Sequence, residues 1–257
     1  MSRPVLLVIA HGSRDPRHAA TVHALVRRVR SLRPDVRVET GFLDFNVPSV
    51  PGVLESLATE GVRDVVALPL LLTRAFHAKA DIPAVLADAP PRLRIRQAEV
   101  LGPSPLLLAA LERRLYEAGL TPADKSSTGV VLASAGSTDP EAIAVIADIA
   151  REWRHTGWCA VRPAFASASL PRTEQAVREL RDLGCARIAV APYVLAPGRL
   201  PDRIARGAAE ADVLADVLGP APEVARLLVE RYEAARVAVG ASGRGAVGAS
   251  ARVAVGA

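Results

Sequence analysis

The sequence repeats itself, and this limits what the chain can fold into. Leu6–Pro16 (LLVIAHGSRDP) lines up with Val130–Pro140 (VVLASAGSTDP), and Gly61–Leu72 (GVRDVVALPLLL) with Gly184–Leu195 (GCARIAVAPYVL). Val100–Pro105 (VLGPSP) lines up with Val217–Pro222 (VLGPAP). The matches keep their order at nearly constant offset, so the 257 residues read as two copies of one unit. The joint, Ala118–Gly129, is rich in Pro, Ser, Thr and Gly. The expected division is 1–121, a linker at 122–129, a second unit at 130–235, and a tail at 236–257. The tail repeats ARVAVGA at Ala235–Ala241 and Ala251–Ala257, and its low complexity predicts a flexible segment.

Each copy alternates two hydrophobic periods. In the first, Val5–Ala10 is a continuous apolar run, as a strand buried on both faces requires. Ala19–Leu32 carries Val22, Leu25, Val26, Val29 and Leu32 at helical spacing. Further strands are predicted at Val36–Phe42, Asp64–Leu71 and Arg94–Ala98, and helices at Val50–Thr59, Asp81–Asp88 and Pro105–Ala118. Strictly alternating β and α elements predict a parallel sheet with helices on both faces. The fold class is therefore α/β: two tandem flavodoxin-like units with four-stranded sheets.

The net charge of +5 invites a nucleic-acid reading, but the charge is not clustered. Three of those charges, Arg236, Arg244 and Arg252, follow the last acidic residue, Glu233. Aromatic residues make up 4%, too few for a base-stacking platform, and neither a helix-turn-helix nor a zinc-finger pattern occurs. Val5–Ala10 and Val65–Leu72 are strand-length runs, well short of the ~20 residues a membrane helix needs. Neither a nucleic-acid nor a membrane partner is expected. Cys159 and Cys185 form no CxxC pair and read as buried thiols of a reducing cytoplasm.

In an open parallel sheet, ligands bind beyond the carboxyl ends of the strands. His11 ends the first strand, Asp44 follows the second in GFLDFN, and His77 follows the third in LLLTRAFHAKADIP. Two imidazoles and a carboxylate on one sheet edge suit divalent iron, cobalt, nickel or zinc better than calcium. The repeat supplies an internal control: the second copy has Ala135, Ser167 and Leu200 at these positions. Loss of all three donors together points to one reactive half and one that shapes the cleft. His18 and His23 read as surface or half-buried helix residues and His155 as part of a helix C-terminal turn, rather than as ligands. In HGSRDP, Ser13 and Asp15 can cap the following helix, whose N-terminus attracts anions. Histidine phosphatases need Arg before their His–Gly, where this chain has Ala10. Gly119–Ser126 fails as a P-loop because Asp124 replaces the required glycine, so no ATP site is expected.

The segments IAHGSRDP, GFLDFNVPS, PLLLTRAFHAKADIP and LGPSP together resemble the sirohydrochlorin chelatases, the ATP-independent class II cobalto- and ferrochelatases. The resemblance spans about residues 4–235, because the long form of that family also has two homologous halves. It implies insertion of Fe²⁺ or Co²⁺ into sirohydrochlorin in siroheme or cobalamin biosynthesis. By motif match, His11 and His77 become the metal-binding and proton-accepting pair, with Asp44 where the family usually has Glu. Asp keeps the charge but draws the oxygen back by one methylene. The resemblance also implies a basic cleft for a substrate with eight carboxylates, with Ser13, Arg14, Arg74, Arg199 and Arg203 as candidate contacts. No cofactor beyond the metal substrate is expected, and no iron–sulfur cluster. The expected partners are the tetrapyrrole and the metal, with the chain a monomer or homodimer in the cytoplasm. The alternatives are a phosphoryl-transfer enzyme using His11, or a non-catalytic carrier of metal or tetrapyrrole.

Overall fold

A computed structural model describes residues 3–74 and 80–242, with side chains through 237. The first half contains β1 (Val5–Ala10), α1 (Pro16–Leu32), β2 (Val38–Phe42), α2 (Val50–Thr59), β3 (Asp64–Pro69), α3 (Ile82–Ala87), β4 (Arg94–Gln97) and α4 (Pro105–Glu117). A 3-10 turn at Pro122–Ser127 occupies the expected linker. The second half contains β5 (Thr128–Ser134), α5 (Pro140–Arg154), β6 (Ala160–Phe165), α6 (Thr173–Asp182), β7 (Arg187–Tyr193), α7 (Arg199–Gly207), β8 (Val213–Leu214) and α8 (Pro222–Ser242). The sheets run β2-β1-β3-β4 and β6-β5-β7-β8, with every pairing parallel. This is the flavodoxin-like order, and it leaves β1 and β5 central and buried throughout.

Local chemistry sets the boundaries. α1 starts at Pro16, ahead of its apolar stripe, because the Asp15 carboxylate accepts the Arg17 N–H at 2.9 Å. The second half repeats the device, with Asp139 accepting from Glu141 at 3.0 Å ahead of Pro140. β2 starts at Val38 rather than Val36 because the Val36 N–H turns back to the Arg33 carbonyl at 3.1 Å.

The halves are tandem in sequence but interleaved in space. α8 packs on α1, α4 and β3 of the first half, and α4 packs on β7 of the second. Each half thus lends its last helix to the other half's sheet. Leu107 and Leu111 of α4, Val22 and Val26 of α1, Trp153 of α5, and Leu228 and Tyr232 of α8 belong to one continuous buried cluster. The outer faces have separate cores, under α2 and α3 on one side and α6 and α7 on the other. Polar bonds fix the exchange. The Tyr232 hydroxyl donates to the Pro4 carbonyl at 2.8 Å, and the Arg231 guanidinium to the Val100 and Leu101 carbonyls at 2.9 and 3.0 Å. Arg33 pairs with both Asp35 and Glu233.

Two expectations are corrected. Residues 236–242 of the expected flexible tail continue α8, because Ala-rich sequence propagates a helix already docked through Ala235; residues 243–257 lie outside the described residues. Of the two cysteines, Cys185 is buried but Cys159 is exposed, since it sits in the turn leading into β6.

Leu228→Ala should cost about 2–5 kcal/mol, as emptying a buried leucine site does. Calorimetry should show one lowered transition, because Leu228 lies in the core shared by both halves. Two transitions with only one displaced would contradict the exchange. Acid provides a second check. Arg33 holds the Asp35 carboxyl down at about 2. Partial burial raises Glu233, but hydrogen bonds from Arg33 and Arg236 outweigh it and leave Glu233 below the usual carboxylate range. Lowered folded-state values mean that this stabilisation is complete above pH ~5, clear of the unfolded carboxylate values, and is lost as pH falls through the folded values toward 2. Arg33→Met should flatten that acid limb in pH-dependent denaturation.

Candidate active site

The carboxyl ends of β1 and β3 face those of β5 and β7 across a cavity of about 490 Å³. Its wall is mainly apolar, including Leu72, Ile143 and Leu195, with His11, Ser13, His18 and Arg199 among the polar side chains. Such a lining suits a largely apolar ligand held by a few polar groups.

His11 is the first residue after β1 and is exposed to the cavity. Its neighbour Gly12 has φ +95, and a Cβ there would come within 1.9 Å of the Asp44 carbonyl oxygen. Only glycine fits this turn. The Asp44 N–H donates to the His11 carbonyl at 2.9 Å, so the first two candidate donors are tied by backbone. Asp44 is exposed, and its Oδ1 accepts the Phe45 N–H at 2.8 Å. Phe45 has φ +60, a left-handed conformation costly for a bulky side chain. Its half-exposed ring meets the His11 ring edge-to-face at 6.4 Å and lies 5.2 Å from the Arg14 guanidinium carbon.

The second half reproduces this scaffold without its chemistry. Gly136 has φ +92, and a Cβ there would approach the Ser167 carbonyl oxygen to 1.9 Å. The Ser167 N–H donates to the Ala135 carbonyl at 3.0 Å, and Ala168 repeats φ +60. Ser13 and Ser137 each accept the N–H of the helix-capping aspartate, at 3.1 and 3.0 Å. The backbone needs neither a histidine nor an aromatic ring at these positions, because Ala135 and Ala168 adopt the same geometry.

The remaining predicted residues are spread out. His77 lies outside the described residues. Among the described residues, no three His, Cys, Asp or Glu side chains cluster as a metal site. Arg199, the first residue of α7, reaches the cavity wall. Arg14 is held beside Phe45. Arg74 faces Glu99 at 3.9 Å in a neighbouring cavity, and Arg203 is exposed one turn along α7.

Sequence reasoning missed two contributors. His18, in the first turn of α1, lines the cavity, and its Nδ1 is shielded from solvent with no hydrogen-bond partner. Burial and then the nearby His11 lower its pKa against the pull of Asp15, so the imidazole is neutral at pH 7. The available signal was its place in the turn immediately after HGSRDP. Tyr193, at the end of β7, is buried, and its hydroxyl reaches the Leu72 carbonyl of the other half at 3.4 Å. Burial raises its pKa, so it remains a neutral donor. At the rim, Arg17 of α1 pairs with Asp202 of α7 at 3.0 Å.

A family model described as CbiX matches residues 5–118 and 129–235. A curated sirohydrochlorin cobaltochelatase of Priestia megaterium is 30% identical over 206 residues, which are 77% of this chain and 66% of that protein. A sirohydrochlorin ferrochelatase of Bacillus subtilis is 27% identical over 210 residues, 79% of this chain and 78% of its own. The solved structure of SirB from Bacillus subtilis with Fe³⁺ superposes with a TM-score of 0.78 at 24% identity. That likeness covers 94% of this chain and 98% of SirB and shows the shared fold. With both halves matched in order and the strand-end histidine turn in place, the chain belongs to the CbiX family.

Proposed function

We propose that this protein is a sirohydrochlorin chelatase that inserts a divalent metal, Fe²⁺ or Co²⁺, into the macrocycle without ATP, in siroheme or cobalamin biosynthesis. The observation that carries the reading is the pair of matched turns, of which only the one at His11 has acquired donors. The curated relatives act on sirohydrochlorin, and the cavity between the halves has the apolar lining a flat macrocycle requires.

Metallation removes two N–H protons from the macrocycle and delivers a partly dehydrated cation. His11 and His77 bind the metal and accept protons, which neutral imidazole does at pH 7. His18, kept neutral by burial and by the nearby His11, adds no positive charge to the wall that receives the cation. The Asp44 carboxylate offsets the charge of the cation before transfer. Phe45 offers its exposed ring to a macrocycle face. Arg199 on the wall and Arg14 beside Phe45 grip substrate carboxylates, with Ser13 at the helix start. Arg203, one turn along α7, and Arg74, in the neighbouring cavity, are the further candidates for substrate carboxylates. Four metal–nitrogen bonds drive the reaction without a nucleotide, and with no CxxC pair in the sequence no iron–sulfur cluster is assigned a part. The protein works in the cytoplasm as a monomer or homodimer, without membrane or nucleic-acid partners.

Sirohydrochlorin mixed anaerobically with Co²⁺ or Fe²⁺ should change its absorbance faster with the protein than with metal alone. His11→Ala and His77→Ala should each slow turnover about 100-fold or more, the usual scale for losing an acid–base group. Phe45→Ala should raise KM more than it lowers kcat. Turnover no faster than the metal-only control would overturn the assignment.

A further inference from the structure

Cys159 and Cys185 lie far apart in sequence and far from the cleft, yet their sulfurs meet. Cys159 directly precedes β6, and Cys185 occupies the turn between α6 and β7. The Cys185 thiol donates to the Cys159 sulfur at 3.7 Å. β6 and β7 end at Phe165 and Tyr193 on the cavity wall. The sulfurs sit at the opposite ends of these strands, roughly 20 Å away at ~3.3 Å per residue.

Both backbones are pinned to the chain entering β5. The Cys159 N–H donates to the Lys125 and Thr128 carbonyls at 2.9 and 3.2 Å, and the Ala186 N–H to the Ser127 carbonyl at 3.0 Å. β5 lies between β6 and β7, so the thiols meet across the first residues of the central strand. Gly129 makes the room: a Cβ there would come within 2.8 Å of the Cys185 sulfur. The sulfurs have to close from 3.7 Å to the ~2.05 Å of a disulfide.

We propose that Cys159 and Cys185 form a reversible disulfide, made by exchange with a low-molecular-weight disulfide and broken by thiols. The exposed Cys159 thiolate attacks one sulfur of the small disulfide, whose S–S bond breaks and releases one thiolate. The Cys185 thiolate then attacks the Cys159 sulfur, forms the internal S–S bond and expels the second thiolate. Each cysteine loses its proton, and two electrons pass to the small disulfide, which leaves as two thiols. The order follows from access. Cys159 is exposed, whereas burial, followed by the neighbouring Cys159, pushes the Cys185 thiol up to about 11 and keeps it protonated until the mixed disulfide forms. The bond would tie the starts of β6 and β7 together and close a loop around α6, restricting the unfolded chain.

The test is intact-mass analysis of native full-length protein treated with oxidised glutathione and then alkylated. Wild type should lose the mass of two hydrogens, retain no glutathione, take up no alkylating reagent, and unfold at a higher temperature than the reduced protein. Reduction with dithiothreitol should restore two alkylatable thiols. Cys185→Ser should trap one glutathione on Cys159. Cys159→Ser, a change at an exposed position, should resist modification while keeping the melting temperature of the reduced protein. A wild-type protein that keeps its glutathione adduct, or leaves both thiols alkylatable, would overturn the proposal. Chelatase activity is not read in this assay, so its outcome is independent of the reaction at His11.

Discussion

The exchange of the two final helices is the constraint on which the rest of the structure depends. α8 completes the inner face of the first sheet, and α4 that of the second. One apolar cluster therefore runs from Val22 through Leu111 and Trp153 to Tyr232. At ~25 cal/mol per Å² of buried apolar surface, a core of this extent outweighs any of the exposed ion pairs between the halves. Neither sheet buries its inner face without the other half. The separation of the two sheets, and with it the width of the cleft, is a property of the core.

Upon this shared core sits the duplicated turn that bears His11 in the first half. Gly12 and Gly136 admit the same close approach of a carbonyl oxygen, and Phe45 and Ala168 share the same left-handed backbone. The strain at Phe45 is not required by its side chain, because alanine adopts it in the second copy. The scaffold predates the function in a physical sense: the loop geometry is fixed by backbone bonds, and residues added to it inherit their positions. His11 and Asp44 are held together through N–H and C=O groups, so either side chain can change without moving the other.

Much of this was legible in the sequence. The continuous apolar runs at Val5–Ala10 and Val130–Ala133 identify buried parallel strands, and the repeated Asp–Pro pair marks the start of α1 and α5. His11 follows from the strand-end rule alone. The helix exchange was not legible, because α4 and α8 bear the same apolar stripe whichever sheet they cover. His18 was less legible: its place just after HGSRDP was the one signal, while its spacing fits a surface helix and its Nδ1 is nonetheless shielded from solvent. Tyr193 was hidden because its partner, the Leu72 carbonyl, belongs to the other copy. Periodicity reports which face of an element is buried, but not which distant element buries it.

Contacts across the cleft differ in kind from base to rim. At the base, Tyr193 is 2% exposed and reaches the Leu72 carbonyl inside the shared core. At the rim, Arg17 and Asp202 pair with about half of each side chain exposed, where solvent and salt screen the attraction. The base contact resists separation of the halves, because parting them would break this bond and expose apolar core to water. The rim pair exchanges for water at little cost. A bulky macrocycle can therefore be admitted by rearranging exposed side chains at the mouth while the walls bearing His11 and Arg199 keep their spacing. Arg236, the first of the three arginines beyond Glu233, pairs with Glu233 and is not part of the cavity wall.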